Sequence, residues 1–173
     1  MGGAARTHKH KAKRLVDGGP YAWVRNPLYV ALALILAGQF LRLRPRFPDL
    51  FLVLVPRHFE RARQVGRELS ERGLKFACRT AVAAKTQFTP GAVECLLVNT
   101  TGELTHFYEH ADVIFVGKSL TTEGGQNPIE PGALGKPMVF GPNMQNFAEI
   151  AANLVAQKGA LQVRDAAGLE DAV

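Results

Sequence analysis

Apolar runs alternate with amphipathic segments from about residue 49 to the end of the chain. Short stretches rich in Val, Ile, Leu and Phe predict six strands, at residues 49–55, 74–78, 93–98, 113–116, 137–140 and 160–163. Helical spacing of apolar residues predicts helices between them, at 60–72, 102–110 and 146–158, with a last helix just beginning before the chain ends. Strands that alternate with helices are typical of a parallel sheet covered on both faces. The pattern therefore predicts a doubly wound α/β fold.

The first predicted strand has the most continuous hydrophobicity of the six. Its run LFLVLV lies between Pro48 and Pro56 and contains no polar residue, which predicts a strand buried on both faces. The helix after it has apolar residues on one stripe only and ends before Gly73. A strand, a tight connection and an amphipathic helix form the start of a βαβ arrangement.

A glycine-rich stretch, GKSLTTEGGQNPIEPGALGKPMVFGP at residues 117–142, links the fourth and fifth predicted strands. Asn127 is suited to the N-cap of a short helix, and Glu130 is placed to return a hydrogen bond to the cap. Capping leaves Gly124 and Gly125 unexplained, and free amides beside a helix N-terminus can bind phosphate. Because short glycine motifs also occur by chance, these residues alone leave both interpretations open.

Polar residues also follow the first and third predicted strands. Arg57 comes directly after the first strand, and the sequence NTTGEL at 99–104 follows the third. The carboxyl ends of parallel strands meet at one edge of a sheet, so these groups are expected near the glycine-rich stretch. Arg57 could bind a phosphate with two parallel hydrogen bonds, or it could be an ordinary surface arginine.

The chain before residue 47 has a different character, and we predict a boundary there between residues 1–46 and 47–173. The apolar run PLYVALALILAGQFL at 27–41 has 15 residues. A helix that crosses a membrane needs about 20 residues, and no secretory cleavage site follows. Basic residues flank the run, so it is predicted to form a short interfacial or re-entrant helix, or one half of a hairpin, with membrane contact through residues 20–46.

The positive charge is confined to this first part. The whole chain has a formal net charge of +6, but residues 1–46 carry nine Lys or Arg side chains and one acid, Asp17. Residues 47–173 therefore have a net charge of −2. A charge distribution of this kind does not indicate a nucleic-acid partner for the folded part. Cys78 and Cys95 lie in apolar runs without metal-ligand spacing and are predicted to be reduced and buried.

One short segment resembles a membrane enzyme family. The sequence GPYAWVRNPLY at 19–29 is similar to a segment of isoprenylcysteine carboxyl methyltransferase-type membrane proteins. In that family the segment leads into a membrane helix and helps to hold S-adenosylmethionine. The likeness covers only about thirty residues, so it implies a fused or relict fragment that does not bind this cofactor.

A second resemblance covers nearly all of the predicted folded part. The segments LVPRHFERARQVGRELSERGL, NTTGELTHFYEHADVIFVGKSL and EGGQNPIEPGALGKPMVFGPNMQNFAEIA resemble, in order and spacing, the C-terminal half of bacterial 3-deoxy-D-manno-octulosonic acid (Kdo) transferases. This family consists of GT-B glycosyltransferases of lipopolysaccharide synthesis. The resemblance implies a Rossmann-like domain that binds CMP-Kdo without a metal or other cofactor, at the cytoplasmic side of the bacterial inner membrane.

The resemblance also implies a set of donor-binding residues. By position they are Arg57, Gly102, Glu103, Leu104, Ser119, Gly124, Gly125, Asn127 and Glu130. Arg57 and Asn127 are expected near the donor phosphate, and Glu130 at a ribose hydroxyl. The chain departs from the family pattern at three positions, Asn99, Thr101 and Lys118. Lys118 replaces a loop glycine, so it is expected either to obstruct the donor or to give its phosphate another partner.

In this family the acceptor-binding domain and the general base lie in an N-terminal half. Residues 1–46 of this chain do not resemble that half. We therefore expect nucleotide-sugar binding without catalytic residues, and contact with a lipid A precursor only when that half is supplied. The alternative is a non-catalytic nucleotide-binding or structural remnant fused to the methyltransferase fragment.

A metal site is the remaining chemical interpretation. The sequence HFYEH at 106–110 matches the short H-x-x-E-H pattern of some zinc peptidases. Most of its other residues are accounted for by the transferase resemblance, and no third ligand stands out downstream. The expectation is therefore no bound metal.

Overall fold

The computed structural model describes residues 36–89 and 91–172, and it has an α/β architecture. Its strands are β1 (Leu52–Leu54), β2 (Phe76–Cys78), β3 (Cys95–Leu97), β4 (Ile114–Phe115), β5 (Met138–Phe140) and β6 (Ala160–Gln162). Its helices are α1 (residues 36–43), α2 (Ala62–Glu71), α3 (Leu104–His110), α4 (Ile129–Ala133), α5 (Ala148–Ala156) and α6 (Ala166–Ala172). All six predicted strands are present, although each is shorter than the apolar run that predicted it.

Hydrogen bonding divides the strands into two parallel sheets of three. In the first sheet β3 lies between β1 and β2, and in the second β5 lies between β4 and β6. The pairing aligns Leu52 and Phe76 on either side of Cys95. Because the strands are parallel, the loops after β1, β2 and β3 leave the first sheet at the same edge. The loops after β4 and β5 leave the second sheet in the same way, which positions the candidate site.

The two sheets have separate cores. Around the first sheet the buried residues are Ala37, Phe40, Leu54, Ala62, Val65, Leu69, Leu74, Cys95 and Leu97. Around the second they form two clusters, one of Ile114, Val116, Met138, Phe140, Met144, Ala151 and Ala160, and one of Val139, Val163 and Leu169. Leu36 packs against both the first-sheet core and the Val139 cluster. The α1 helix therefore contacts the hydrophobic interior of both halves.

The packing of α1 was not predicted from the sequence. Its residues Ala37 and Phe40 are buried in the first-sheet core, and Arg42 forms an ion pair of 3.2 Å with Glu170 of α6. Within the described residues, the apolar face of α1 thus packs on protein, whereas the sequence predicted a membrane contact. Residues 20–35 of the predicted membrane segment, and the methyltransferase-like segment at 19–29, lie outside the described residues. No helix in the described part is long and apolar enough to cross a membrane.

The prediction that the first strand is buried on both faces is wrong. Leu54 is buried, but Phe51, Val53 and Val55 are exposed. Side chains alternate between the two faces of a strand, and only the face of Leu52 and Leu54 packs on the core that contains α1 and α2. Continuous hydrophobicity was therefore not sufficient to establish burial on both sides.

Both cysteines are free thiols, as predicted. Cys95 is completely buried in the central strand of the first sheet, and this burial raises the pKa of its thiol to about 12. Cys78 is only half-buried, at the end of β2. The raised pKa of Cys95 is the opposite of what a reactive cysteine requires.

The position of α1 in the core leads to a stability prediction. Phe40→Ala should lower the free energy of unfolding by about 3 kcal/mol or more, because it removes a buried aromatic ring and leaves a cavity. Phe47→Ala is the matched control, since Phe47 is 42% exposed against 3% for Phe40. That control should cost less than about 1 kcal/mol. Urea denaturation of both variants would measure the difference, and equal small losses would show that α1 does not stabilise the core.

Candidate functional site

Ser119 connects the loops that follow β4 and β5. Its side chain is completely buried, and its hydroxyl donates to the Val116 carbonyl at 2.6 Å. The same oxygen accepts a hydrogen bond of 2.8 Å from the Gly141 amide, and the Ser119 carbonyl accepts one of 3.0 Å from the Asn143 amide. The hydroxyl is therefore used within the protein. Because the whole residue is buried, Ser119 holds the two loops together and does not offer an exposed group to a ligand.

The glycine pair predicted to bind phosphate packs closely against the loop after β5. Gly124 has a φ of 104° and Gly125 a φ of 58°, and both are buried. A Cβ at Gly124 would lie 2.7 Å from the Asn146 side-chain nitrogen, and one at Gly125 would lie 2.5 Å from the Met144 sulfur. The Gly124 amide already donates to Gln145 Oε1 at 2.8 Å. Backbone conformation and packing thus require glycine at both positions, whether or not a ligand binds.

Lys118 has an unusual backbone for its residue type. Its φ is 68°, in the left-handed region that costs a side-chain-bearing residue roughly 1–2 kcal/mol. Its carbonyl accepts hydrogen bonds from the Thr121 and Thr122 amides at 3.3 and 3.1 Å, which close the turn. Its ammonium nitrogen lies 3.0 Å from the position that a Cβ on Gly124 would occupy. The lysine side chain therefore extends along the glycine pair.

The short helix α4 begins close to the predicted position. Asn127 Oδ1 accepts a hydrogen bond of 2.9 Å from the Ile129 amide, which fixes the turn into the helix. The N-cap position itself is taken by Pro128 and not, as was predicted, by Asn127. Pro131 has no amide hydrogen, so the first helical hydrogen bond runs from the Gly132 amide to the Pro128 carbonyl at 3.1 Å. For this reason the helix starts at Ile129. It has only five residues, too few for the strong dipole that the phosphate interpretation assumed.

Glu130 is exposed, and the hydrogen bonds of the described residues do not include the predicted return to the Asn127 amide. Tyr108 of α3 is half-buried, and this burial, followed by the negative charge of Glu130, raises the pKa of its hydroxyl. The exposed Glu130 carboxylate is accessible to an external hydroxyl.

Polar side chains form a second cluster at the ends of β2 and β3. Arg79 donates to Glu103 Oε1 from Nε at 3.1 Å and from Nη2 at 2.7 Å, and the Thr100 hydroxyl donates to the other oxygen. The Thr100 hydrogen bond, followed by the interactions with Arg79, lowers the pKa of the Glu103 carboxyl. Asn99 holds Thr80 through hydrogen bonds of 2.8 and 3.1 Å. The cluster fixes the turn in which Glu103 precedes the first residue of α3.

The remaining predicted residues are Gly102, Leu104 and Arg57. Gly102 has a φ of 82° and is exposed, and Leu104 is the half-buried first residue of α3. Arg57 is exposed in the turn after β1, and the ion pairs of the described residues do not include it. The structure thus brings Ser119, Gly124 and Gly125 together. It places Arg57 and the Glu103 turn at the end of the other sheet.

Several residues that shape the site were missed by sequence reasoning. Arg79 directly follows β2, and Arg57 follows β1 after two residues, so searching for a basic residue after the second strand as well would have found Arg79. Met144, Gln145 and Asn146 follow β5 and pack against the glycine pair. They lie just after Gly141 and Pro142, where the glycine-rich stretch was taken to end, so they were not among the candidate residues.

The histidines of the H-x-x-E-H pattern interact within their own helix. His106 Nδ1 lies 3.3 Å from Glu109 Oε2, and His110 Nδ1 lies 2.8 Å from the His106 carbonyl. Both rings are exposed. Within residues 36–89 and 91–172, no group of three or more His, Cys, Asp or Glu side chains is arranged to hold a metal ion.

No family model matches the chain. It is 37% identical to a 3-deoxy-D-manno-octulosonic acid transferase from Bordetella pertussis over 124 residues, which are 71% of this chain and 28% of that protein. It is 33% identical to the transferase of the same name from Haemophilus influenzae over 168 residues, 92% of this chain and 38% of that protein. The chain is similar to Kdo transferases. It spans well under half the length of these curated relatives.

Two further comparisons extend this result. A bifunctional glycosyltransferase/methyltransferase from Fusobacterium nucleatum is 30% identical over 120 residues, 69% of this chain and 18% of that protein. The crystal structure of the C-terminal CMP-Kdo-binding domain of WaaA from Acinetobacter baumannii superposes with a TM-score of 0.69. It is 29% identical, and the match covers 84% of this chain and 72% of that one. The fold predicted from the resemblance, a Rossmann-like domain of the GT-B type, is confirmed.

The bridging role of Ser119 can be tested by removing its hydroxyl. Ser119→Ala should lower the free energy of unfolding by about 1–3 kcal/mol, because the buried Gly141 amide loses its acceptor. Ser70→Ala is the matched control, since Ser70 is exposed on α2 and alanine favours helix. Urea denaturation should show no loss for that control. An Ser119→Ala variant as stable as the wild type would contradict the bridging role.

Proposed function

We propose that this chain is the donor-binding domain of a Kdo transferase-like glycosyltransferase and binds CMP-Kdo in lipopolysaccharide biosynthesis. The observation that carries the proposal is the match, at 29% identity and a TM-score of 0.69, to a domain that is named for CMP-Kdo binding. The match covers 84% of this chain. The relatives in Bordetella and Haemophilus support the same function.

The proposed site would bind the donor's phosphate with protein groups alone. Arg57 supplies positive charge, and the amides of the turn after β4 supply hydrogen-bond donors. The exposed carboxylate of Glu130 can accept a hydrogen bond from a ribose hydroxyl. Asn127 Oδ1 already accepts from the Ile129 amide, so the proposed contact of Asn127 with the phosphate would use its side-chain amide nitrogen. We assign no catalytic residue in this chain and propose donor binding only.

Titration calorimetry with CMP, UMP and ADP tests this proposal. The chain should bind CMP at least about tenfold more tightly than UMP or ADP, a difference of about 1.4 kcal/mol. Arg57→Met should weaken CMP binding by roughly five- to tenfold through loss of a phosphate contact. Arg164→Met is the matched control, because Arg164 is also exposed but follows β6 near α6. Equal affinity for the three nucleotides would contradict donor specificity.

A non-catalytic structural remnant is the second candidate function, and one observation favours it. The Ser119 hydroxyl, the Gly124 amide and the glycine pair are all accounted for by contacts inside the chain. These groups would adopt the same geometry in a domain that binds nothing. Absence of heat for all three nucleotides in the titration would select this candidate.

We also propose that the protein is peripheral at the cytoplasmic side of the bacterial inner membrane, with contact through residues 20–35. This rests on the apolar sequence and its flanking arginines. The methyltransferase-like segment at 19–29 also stays a prediction. Neither proposal is needed for nucleotide binding.

Vesicle flotation tests the membrane proposal. The full chain should float with vesicles that contain phosphatidylglycerol, and less of it with pure phosphatidylcholine, because each basic residue near an anionic surface contributes about 1 kcal/mol. Added salt should reduce the fraction bound. Arg25→Gln should bind less than Arg164→Gln, since only Arg25 flanks the apolar run. Absence of flotation with either lipid would refute membrane contact.

A further inference from the structure

We infer that Lys118 is a phosphate-binding residue of this site and makes its own contribution to affinity for the donor. The inference rests on the proposed function and deepens it. A lysine side chain at this position can either obstruct the loop or bind the phosphate. The position of its ammonium group and the charges around it distinguish the two.

The backbone of Lys118 is the first observation. Two non-glycine residues in the described part have positive φ, Lys118 at 68° and Lys158 at 59°. Lys158 follows the end of α5, where its amide bonds the Val155 carbonyl, and a left-handed residue is an ordinary way to end a helix. Lys118 ends no helix and lies in the turn after β4. A lysine kept in a conformation that favours glycine, at a strand end facing a candidate site, indicates a role for its side chain.

The charge around Lys118 is the second observation. Its ammonium nitrogen lies next to Gly124 and the Asn146 side chain, and the residue is half-buried. In the described ranges, no carboxylate lies within the 4.0 Å that would make an ion pair with it. Arg79, by contrast, is neutralised by Glu103 at 2.7 Å. A half-buried cation without a partner attracts an anion more strongly than an exposed one does.

The backbone amides of the same turn are the third observation. Among the hydrogen bonds of the described residues, none is donated by the amides of Lys118 or Leu120, and both residues are half-buried. Amides in a turn that contains a left-handed residue can bind an anion together. Ser119 between them is completely buried and fixed by its hydroxyl, so it positions the turn and does not itself reach a ligand. The ligand class that suits a cation beside free amides is a phosphate ester.

The experiment compares Lys118→Gly with Lys158→Gly. Each variant removes one lysine charge and relieves one left-handed backbone, so the two differ in location and in burial, because Lys118 is half-buried and Lys158 is exposed. Calorimetry would use CMP, and ligand-observed NMR would use cytidine and inorganic phosphate. Lys118→Gly should weaken CMP binding about tenfold, reduce phosphate binding, and leave cytidine binding unchanged. Lys158→Gly should bind all three probes like the wild type, and neither variant should be less stable.

The alternatives give different results. If Lys118→Gly binds CMP as tightly as the wild type, or more tightly, Lys118 obstructs the loop or has no part in binding, and the inference is overturned. An equal loss of cytidine binding would also overturn it, because the effect would not depend on phosphate. If the wild type binds phosphate through Lys118 but does not prefer CMP, the proposed function fails and the inference stands. If no probe binds, both fail.

Discussion

The buried hydroxyl of Ser119 is the interaction on which the candidate site depends. It donates to the Val116 carbonyl and accepts from the Gly141 amide, and in this way it joins the exits of two neighbouring strands. Burying the hydroxyl without hydrogen-bond partners would cost free energy. Both loops therefore keep the geometry in which the hydroxyl forms its two hydrogen bonds. The turn with Lys118 and the glycine pair then follow from that constraint. The loop after β5 lies close enough that Gly124 and Gly125 have no room for side chains. The residues that make the site rigid are thus not the ones that would contact a ligand.

The helix α1 shows how the same sequence pattern can correspond to two environments. A run of apolar residues with basic flanks is expected both of a membrane-contacting helix and of a helix buried in a protein. Within the described residues the second applies, because Ala37 and Phe40 fill the core beneath β1. Gln39 is also buried, and its side-chain oxygen has no hydrogen-bond partner in the described part. The polar interruption in the run therefore did not mark a solvent-facing position. Packing against strands more than ten residues away decides such cases, and sequence periodicity does not contain that information.

Much of the fold could be predicted from the chain, because strand and helix patterns alternate clearly. The strand pairing could not be predicted, since nothing local specifies that β3 lies between β1 and β2. At the site, a hydrogen bond from the Asn127 side chain at the helix start followed from local chemistry, but the missing amide of Pro131 shifted the N-cap to Pro128. The pair of Arg79 and Glu103 was missed because its partners are 24 residues apart in the chain. Contacts of that kind depend on the sheet bringing two strand ends together.

The charge distribution explains why the site would depend on local geometry. Residues 47–173 have a net charge of −2, and Arg42, Arg44 and Arg46 before them bring the described residues to +1, so the folded part has no strong general attraction for an anionic ligand. Arg79 is paired with Glu103, which leaves fewer free cations at the strand ends than the sequence suggests. A phosphate would therefore have to be attracted by a few placed groups. Lys118 is the cation closest to the glycine pair, and its left-handed backbone holds it there. The energetic cost of that backbone is small compared with the interaction of a half-buried ammonium with a phosphate.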